Sequence, residues 1–317
     1  MLSWERLRVF AAVAEHGSVS AAAEQLHVTG PAISQHIRRL EREAGCKLVE
    51  PSGRGIRLTH AGRVLASSAQ KMATVAAHAT MDLAAVSGLI AGPLRIGAVA
   101  SALRSLIPPA LVTLTDRHPR LEPEVRDGEA AHLLPELHTG ELDAVVIESW
   151  THAPARIPPG THTHILVHEQ ALLAVHPRHP LTHLQEVPLS SLHDLTWASC
   201  PPGSDAHQAL EQLLRRHTGH DAKVRYCVAD YATQIELVAT GLTAALIPRM
   251  AAPTAESRIR LIPCRPAVTR TIAVATAQTN ATPAVNAFVA EMARTVHSRI
   301  QCRAADPGPP VTGACGP

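Results

Sequence analysis

Hydrophobic and polar positions in the first part of the chain follow helical spacing in successive blocks. Leu7, Phe10, Val13 and Ala14 share one face of a segment over residues 3–15, and Gly17 follows it where a C-cap glycine belongs. VSAAAEQL repeats the spacing at Val19, Ala22, Ala23 and Leu26, with Ser18 as its cap; the small alanines let a neighbouring helix approach closely. In the four-residue connection HVTG that follows, Thr29 stands as N-cap of a third helix. Pro31 falls in its first turn, where a missing N–H costs no hydrogen bond, and Ile33, Ile37 and Leu40 form its buried stripe. Two helices joined by four residues make a helix-turn-helix.

From Lys47 the period shortens. KLVE, PSGRG and IRLT predict a short hairpin, a wing, with Gly53 and Gly55 in its turn. Thr59 then caps a long helix reaching about Val86. Ala61, Leu65, Met72, Val75, Ala79 and Val86 run along it near the 3.5 spacing of paired helices, and self-association is the simplest way to bury that seam.

After Gly92-Pro93 the pattern alternates. Strands are predicted near 94–99, 121–126, 143–148, 165–175, 196–199, 223–228, 243–247, 259–263 and 270–276, and helices near 102–116, 130–139, 205–217, 231–240 and 283–298. Such alternation predicts parallel sheets covered by helices. The proline-rich break at residues 150–164 divides the region into two α/β lobes with a cleft, and the proline- and glycine-bearing tail from Gln301 reads as disordered.

Charge sharpens this picture. Residues 1–64 hold nine Arg or Lys against six Glu, whereas the other 253 residues hold 20 basic against 21 acidic ones, so the formal +2 is local to the head. That is the distribution of a nucleic-acid-binding head on a neutral body. No run approaches the 18 or so uncharged apolar residues of a membrane span, and Glu5, Arg6 and Arg8 interrupt any secretory apolar core, which predicts a cytoplasmic protein. The six cysteines include no C-x-x-C pair, as expected of reduced thiols. Phosphate loops, nucleophile elbows, H-E-x-x-H and G-x-G-x-x-G motifs are absent, so no catalytic function, cofactor or metal is expected.

These residues resemble the LysR-type transcriptional regulators. The likeness covers the leading helix, SVSAAAEQLHVTGPAISQHIRRLE, the wing ending in RGIRLTHAG, the linker helix and the LRIGA opening of the second half. GELDAVVIES, HILVHEQALLAVHPRHPL and IELVATGLTAALIP continue it. The resemblance implies an α/β chain with an all-α-rich head: a winged helix-turn-helix over 1–59, a dimerising linker helix over 60–91, and a two-lobed, periplasmic-binding-protein-like effector domain over 92–300. Lobe 1 would hold about 92–161 and 266–300, lobe 2 about 162–265, and the tail 301–317. Gly30, Val49 and Pro51 depart from the family, which often carries Gln, an aromatic residue and Arg there.

The candidate site residues fall into two groups. For DNA, Ser34, Gln35 and Arg38 lie off the buried stripe of the third helix and suit base edges, while Thr29, Arg39, Arg54 and Arg57 suit phosphates; Arg42 is expected to balance Glu41 and Glu43. For a small-molecule effector, an organic or amino acid, Ser101, Ser204 and Thr233 stand at predicted strand-to-helix junctions. By resemblance they line an interlobe pocket, although each also reads as a plain helix cap. Double-stranded DNA, a second copy of the chain in a dimer or tetramer, and RNA polymerase are the implied macromolecular partners, with no membrane. Cys200 and Cys227 offer an alternative, redox-sensing reading; a solute-binding protein is the alternative of another class. The histidines from His162 to His183 lack the Cys or paired carboxylates of a metal site and read as solvated or interlobe residues.

Overall fold

The computed structural model describes residues 2–52, 55–86, 89–252, 258–278 and 282–305. The chain forms two compact units.

The first unit holds α1 (Trp4–His16), α2 (Val19–Gln25), α3 (Gly30–Ala44), the hairpin β1 (Val49–Ser52) and β2 (Gly55–Leu58), and α4 (His60–Val86). Val9, Val13, Ala22, Ala23, Ile33 and Ile37 form one core, in which the alanines of α2 let the helices meet closely. Leu7, Phe10, Leu40, Leu48 and Ala69 form a second, with Ala61 and Leu65 packed against it. The first turns of α4 thus spend part of the expected self-association seam on the head itself. Met72 (47% exposed) and Val75 (67%) remain in the open farther along α4. The start of α4 is locked by Thr59, whose hydroxyl donates to Lys47 O (2.7 Å) and accepts Gly62 N–H (3.0 Å). Gly62 is required there, because a Cβ would stand 2.0 Å from Leu48 O.

The second unit begins with β3 (Ala91–Ala98), α5 (Ala100–Ser105), α6 (Ile107–Arg117), β4 (Arg120–Asp127), α7 (Ala130–Thr139), β5 (Ala144–Trp150) and β6 (Thr161–Val175). It continues through β7 (Val187–Pro188), β8 (Thr196–Ser199), α8 (Asp205–Thr218), β9 (Lys223–Cys227), α9 (Tyr231–Ala239) and β10 (Ala245–Pro248). It ends with β11 (Arg260–Ile262), β12 (Cys264–Arg265), β13 (Val268–Ala277) and α10 (Pro283–Ala305). The single helix expected over 102–116 is two, because Pro108 and Pro109 fit only the first turn of a new helix. The helix of α10 runs to Ala305, five residues into the expected disordered tail.

The sheet expected to be parallel is mixed. Its order is β10-β6-β13-β5-β3-β4, with β11 also on β6; β3 pairs in parallel with β4 and β5, whereas β13 runs antiparallel to both β5 and β6. One half of the unit packs α5, α6 and α10 on one sheet face, around Leu94, Ile96, Ile107, Val274 and Phe288, and α7 on the other. The second half packs α8 and α9 around Leu173, Trp197, Leu210, Leu213, Val238 and Ile247. Both halves are joined through β6, whose first part pairs with β13 and whose last residues, Ala171–Val175, also pair with β10 or β11. The expected lobe boundary at 161/162 therefore falls at the start of a strand that serves both lobes.

Candidate functional site

The first candidate face is on α3. Thr29 occupies the N-cap position with extended backbone, yet its side chain makes no cap hydrogen bond, so its hydroxyl faces solvent uncommitted to the helix. Gln35, Arg38 and Arg39 are exposed and Ser34 is half-buried, on turns whose inner positions Ile33, Ile37 and Leu40 are buried. Arg42 differs from its expected role as a balance for Glu41 and Glu43. Glu43 pairs with Arg6. Glu41 is buried; it accepts Leu48 N–H (3.0 Å) and Val49 N–H (3.4 Å) and holds Lys47 Nζ at 2.9 Å, fastening α3 to the wing. Burial alone would raise its pKa, but Lys47 and these two N–H groups bring it below the ordinary value. Arg38 and Arg42 line one open depression with Lys47, their guanidiniums without a carboxylate among the described residues. In the wing, Arg57 is bonded across the strands to Glu50 (Nε to Oε1 3.0 Å) and is less free than expected. Arg54 lies outside the described residues.

The second candidate site is in the α/β unit, and its centre is Arg270. Strand geometry puts it there: Arg270 is in register with Glu169 on β6 and with Trp150 on β5, and Glu148 lies two residues from Trp150 on the same face. Arg270 Nε donates to Glu169 Oε1 (2.8 Å), while Nη1 donates to Ser101 Oγ (3.0 Å) and to Glu148. Its guanidinium carbon lies 5.7 Å from the centre of the Trp150 ring. The three charged side chains are 0%, 6% and 8% exposed for Arg270, Glu148 and Glu169. Burial opposes the charge on Arg270, but Glu148 and Glu169 overcome it and hold the guanidinium protonated above its ordinary range.

Around this pair converge the starts of α5, α7, α8 and α9. Arg104 of α5 bonds to Asp230, the N-cap of α9, which also accepts Thr233 N–H (3.0 Å) and the Thr233 hydroxyl (2.9 Å). Glu129, just before α7, accepts the backbone N–H of Asp205 at the start of α8. Glu129 Oε2 and Asp205 Oδ2 are both buried without a hydrogen-bond partner. Burial first, then the charges of Glu148, Asp205 and Asp127, raise Glu129 to about 7. Burial and Glu148 raise Asp205 to about 6. Among the described residues, carboxyls therefore outnumber the one buried arginine at this site, Arg270, which Glu148 and Glu169 already engage.

Two segments match protein-family models: residues 4–63 match "Bacterial regulatory helix-turn-helix protein, lysR family", and residues 87–296 match "LysR substrate binding domain". The chain belongs to the LysR family. Among curated relatives of this LysR-type regulator are a probable hydrogen peroxide-inducible genes activator of Mycobacterium leprae, 32% identical with 80% of each chain covered, and the DNA-binding transcriptional dual regulator OxyR of Escherichia coli, 29% identical over 84% of this chain and 86% of the relative. Full-length OxyR from Pseudomonas aeruginosa, solved as a cysteine variant, superposes with a TM-score of 0.75 at 25% identity, over 92% of this chain and 98% of that one. CbnR complexed with its target DNA shares the fold, with a TM-score of 0.63 at 23% identity over 93% and 100% of the chains.

Within this LysR-type regulator the three expected effector residues differ in availability. Ser101 is buried and accepts from Arg270, leaving its hydroxyl hydrogen to donate. Ser204 is consumed by its own helix, accepting His207 N–H (3.2 Å) and donating to Pro201 O (2.8 Å). Thr233 is exposed and its hydroxyl is given to Asp230. Arg270, Glu148, Glu169, Glu129 and Asp205 were not among the candidates. The available signal was a lone charge inside an apolar strand, in AVVIESW and in TRTIAVATA.

Cys227 ends β9 opposite Ser199, the last residue of β8, and Cys200 is the next residue after β8. Cys227 is exposed and Cys200 buried. Cys200 borders a cavity of about 20 Å³ shared with Trp150, Tyr231 and Gln234. Burial, then Glu148 and Glu129, push its thiol up to about 12. Among the described residues no helix is long and apolar enough to cross a membrane, and no group of His, Cys, Asp and Glu is placed to hold a metal ion.

Proposed function

We propose that this LysR-family regulator binds double-stranded DNA through α3 and the wing, self-associates along the exposed part of α4, and has its promoter binding or DNA bending set by a small molecule between the lobes. Ser34, Gln35 and Arg38 serve base edges, and Thr29, Arg39, Arg54 and Arg57 serve phosphates, with Arg42 added to the phosphate group. The observation that carries the reading is the commitment of Glu41 and Glu43 to the wing and to Arg6, which leaves the α3 arginines without a carboxylate partner among the described residues. A dimer reads two half-sites, so a ligand that favours one lobe arrangement also favours one half-site spacing. The domain limits 1–59, 60–91 and 92–300, a cytoplasmic location, RNA polymerase as a partner and the lack of a catalytic role belong to the same reading.

For the effector, Ser101, Ser204 and Thr233 mark the site, and Ser101 keeps an available hydroxyl. The surplus of carboxyls favours a ligand that brings N–H donors, such as an amino acid, over a bare dicarboxylate. Binding of labelled promoter DNA by Arg38→Ala tests the DNA half. Affinity falls by about 1–3 kcal/mol with relaxed preference at one base pair; an equal loss on every sequence makes Arg38 a phosphate contact instead.

A second reading, peroxide sensing by Cys200 and Cys227, is favoured by the names of the relatives and by the shared end of β8 and β9. The raised thiol of Cys200 opposes it, since the thiolate is the reactive form. Loss of a peroxide-dependent change in DNA binding on replacing both cysteines by Ser would establish it.

A further inference from the structure

Beyond the end of β5, Thr151 and His152 meet the last turns of α8 in an open depression of about 320 Å³, lined also by Gln212, Arg215 and Arg216. The His152 ring stands edge-on to that of His217, with centroids 5.6 Å apart and an interplanar angle of 66°. Basic residues in a last helical turn complement the helix dipole, and that accounts for their presence on α8. It does not account for His152, which comes from another element and faces them. The nearby acids are engaged: Asp221 accepts from Arg215 Nε (3.0 Å) and Nη2 (2.8 Å), and Glu211 lies 3.4 Å from His207. Arg216 and His152 are left sharing one concavity, with His217 against the His152 ring and no facing carboxylate among the described residues. Burial first, then His217 and Arg216, lower the pKa of His152.

We propose that this depression is a binding site for a phosphate group, with Arg216 as its principal charge, His152 as a protonation-linked donor, and the Gln212 amide and Thr151 hydroxyl completing it. The Thr151 hydroxyl is oriented by Thr269 Oγ1, 2.6 Å away. Arg216 supplies charge-assisted donors, and a bound dianion replaces mutual repulsion with attraction. Because the bound dianion favours imidazolium over imidazole, it raises the pKa of His152 by linkage. The site is independent of the interlobe reading.

The test is an NMR pH titration of the histidine ring protons of the full chain in inorganic phosphate, with chloride at matched ionic strength as reference. Phosphate should raise the pKa of His152 saturably, and Arg216→Ala should weaken the half-saturating concentration about tenfold. His152→Gln removes the assigned signal and, with it, a donor of the site, so phosphate binding weakens. Methyl phosphate provides a second arm: binding equal to that of inorganic phosphate identifies the group carried by a monoester, whereas binding of inorganic phosphate alone identifies the free ion. An identical His152 titration in phosphate and chloride, or an Arg216→Ala chain that titrates like the parent in phosphate, overturns the proposal. Arg216 is exposed, so the variant folds, and urea unfolding of the α/β unit serves as the check on integrity.

Discussion

Replacing Glu129 by Gln keeps an oxygen for the Asp205 N–H and removes a charge that the folded domain holds at a cost. In the unfolded chain the carboxyl ionises near its ordinary 4.5, whereas the folded protein retains the proton until about 7. As pH rises through that window the unfolded state ionises first. Native stability from this group is therefore fullest below 4.5 and is lost as pH passes 7. At 1.36 kcal/mol for each tenfold change in proton affinity, the loss is bounded by about 3 kcal/mol. Glu129 is only half-buried and solvent screens its charge, which brings the expected value to about 1–2 kcal/mol. Glu129→Gln should then be more stable than the parent by that amount near pH 8, with the gain fading toward pH 4.5. Urea unfolding across this range, followed by the fluorescence of Trp150 and Trp197 in the α/β unit, measures it. A gain that is flat with pH, or that grows as pH falls, would refute the assignment of Glu129 as a carboxyl ionised against its surroundings.

Three further outcomes follow from the packing. Gly62→Ala drives a methyl into Leu48 O and should unseat the start of α4 from the wing, costing about 3 kcal/mol or more in thermal unfolding of the head; unchanged unfolding would mean that the close approach relaxes freely. Ser101→Ala removes an acceptor from a buried guanidinium and should lower stability of the α/β unit by about 1.5–3 kcal/mol, read by urea denaturation. In the native protein near pH 8, Cys46 and Cys227 should alkylate before Cys200, whose modification should await unfolding; mass spectrometry of the trapped peptides decides.

Most elements are legible in the chain because their signals are local. The turn between α2 and α3 and Thr59 at the head of α4 each act within a few residues. The split of the expected 102–116 helix at Pro108 and Pro109 is a local departure; in the head, the deciding contacts lie outside the helix concerned. Arg42 was paired with its helical neighbours Glu41 and Glu43, but Glu41 turns to Lys47 and the wing backbone and Glu43 to Arg6. Ala61 and Leu65 fit the seam of a paired helix by spacing, yet the head claims them.

The sequence by itself determined the order of helices and strands, the basic head and the family, since capping, periodicity and charge are written in consecutive residues. Only the tertiary structure decided that the sheet is mixed, that β6 serves both lobes, and that Glu148, Glu169 and Arg270 share one buried site. Strand alternation tells which side of its own strand a residue occupies and nothing about which strands become neighbours. Register across three strands set Arg270 beside its carboxylates, and helix packing delivered Glu129 and Asp205 to the same place.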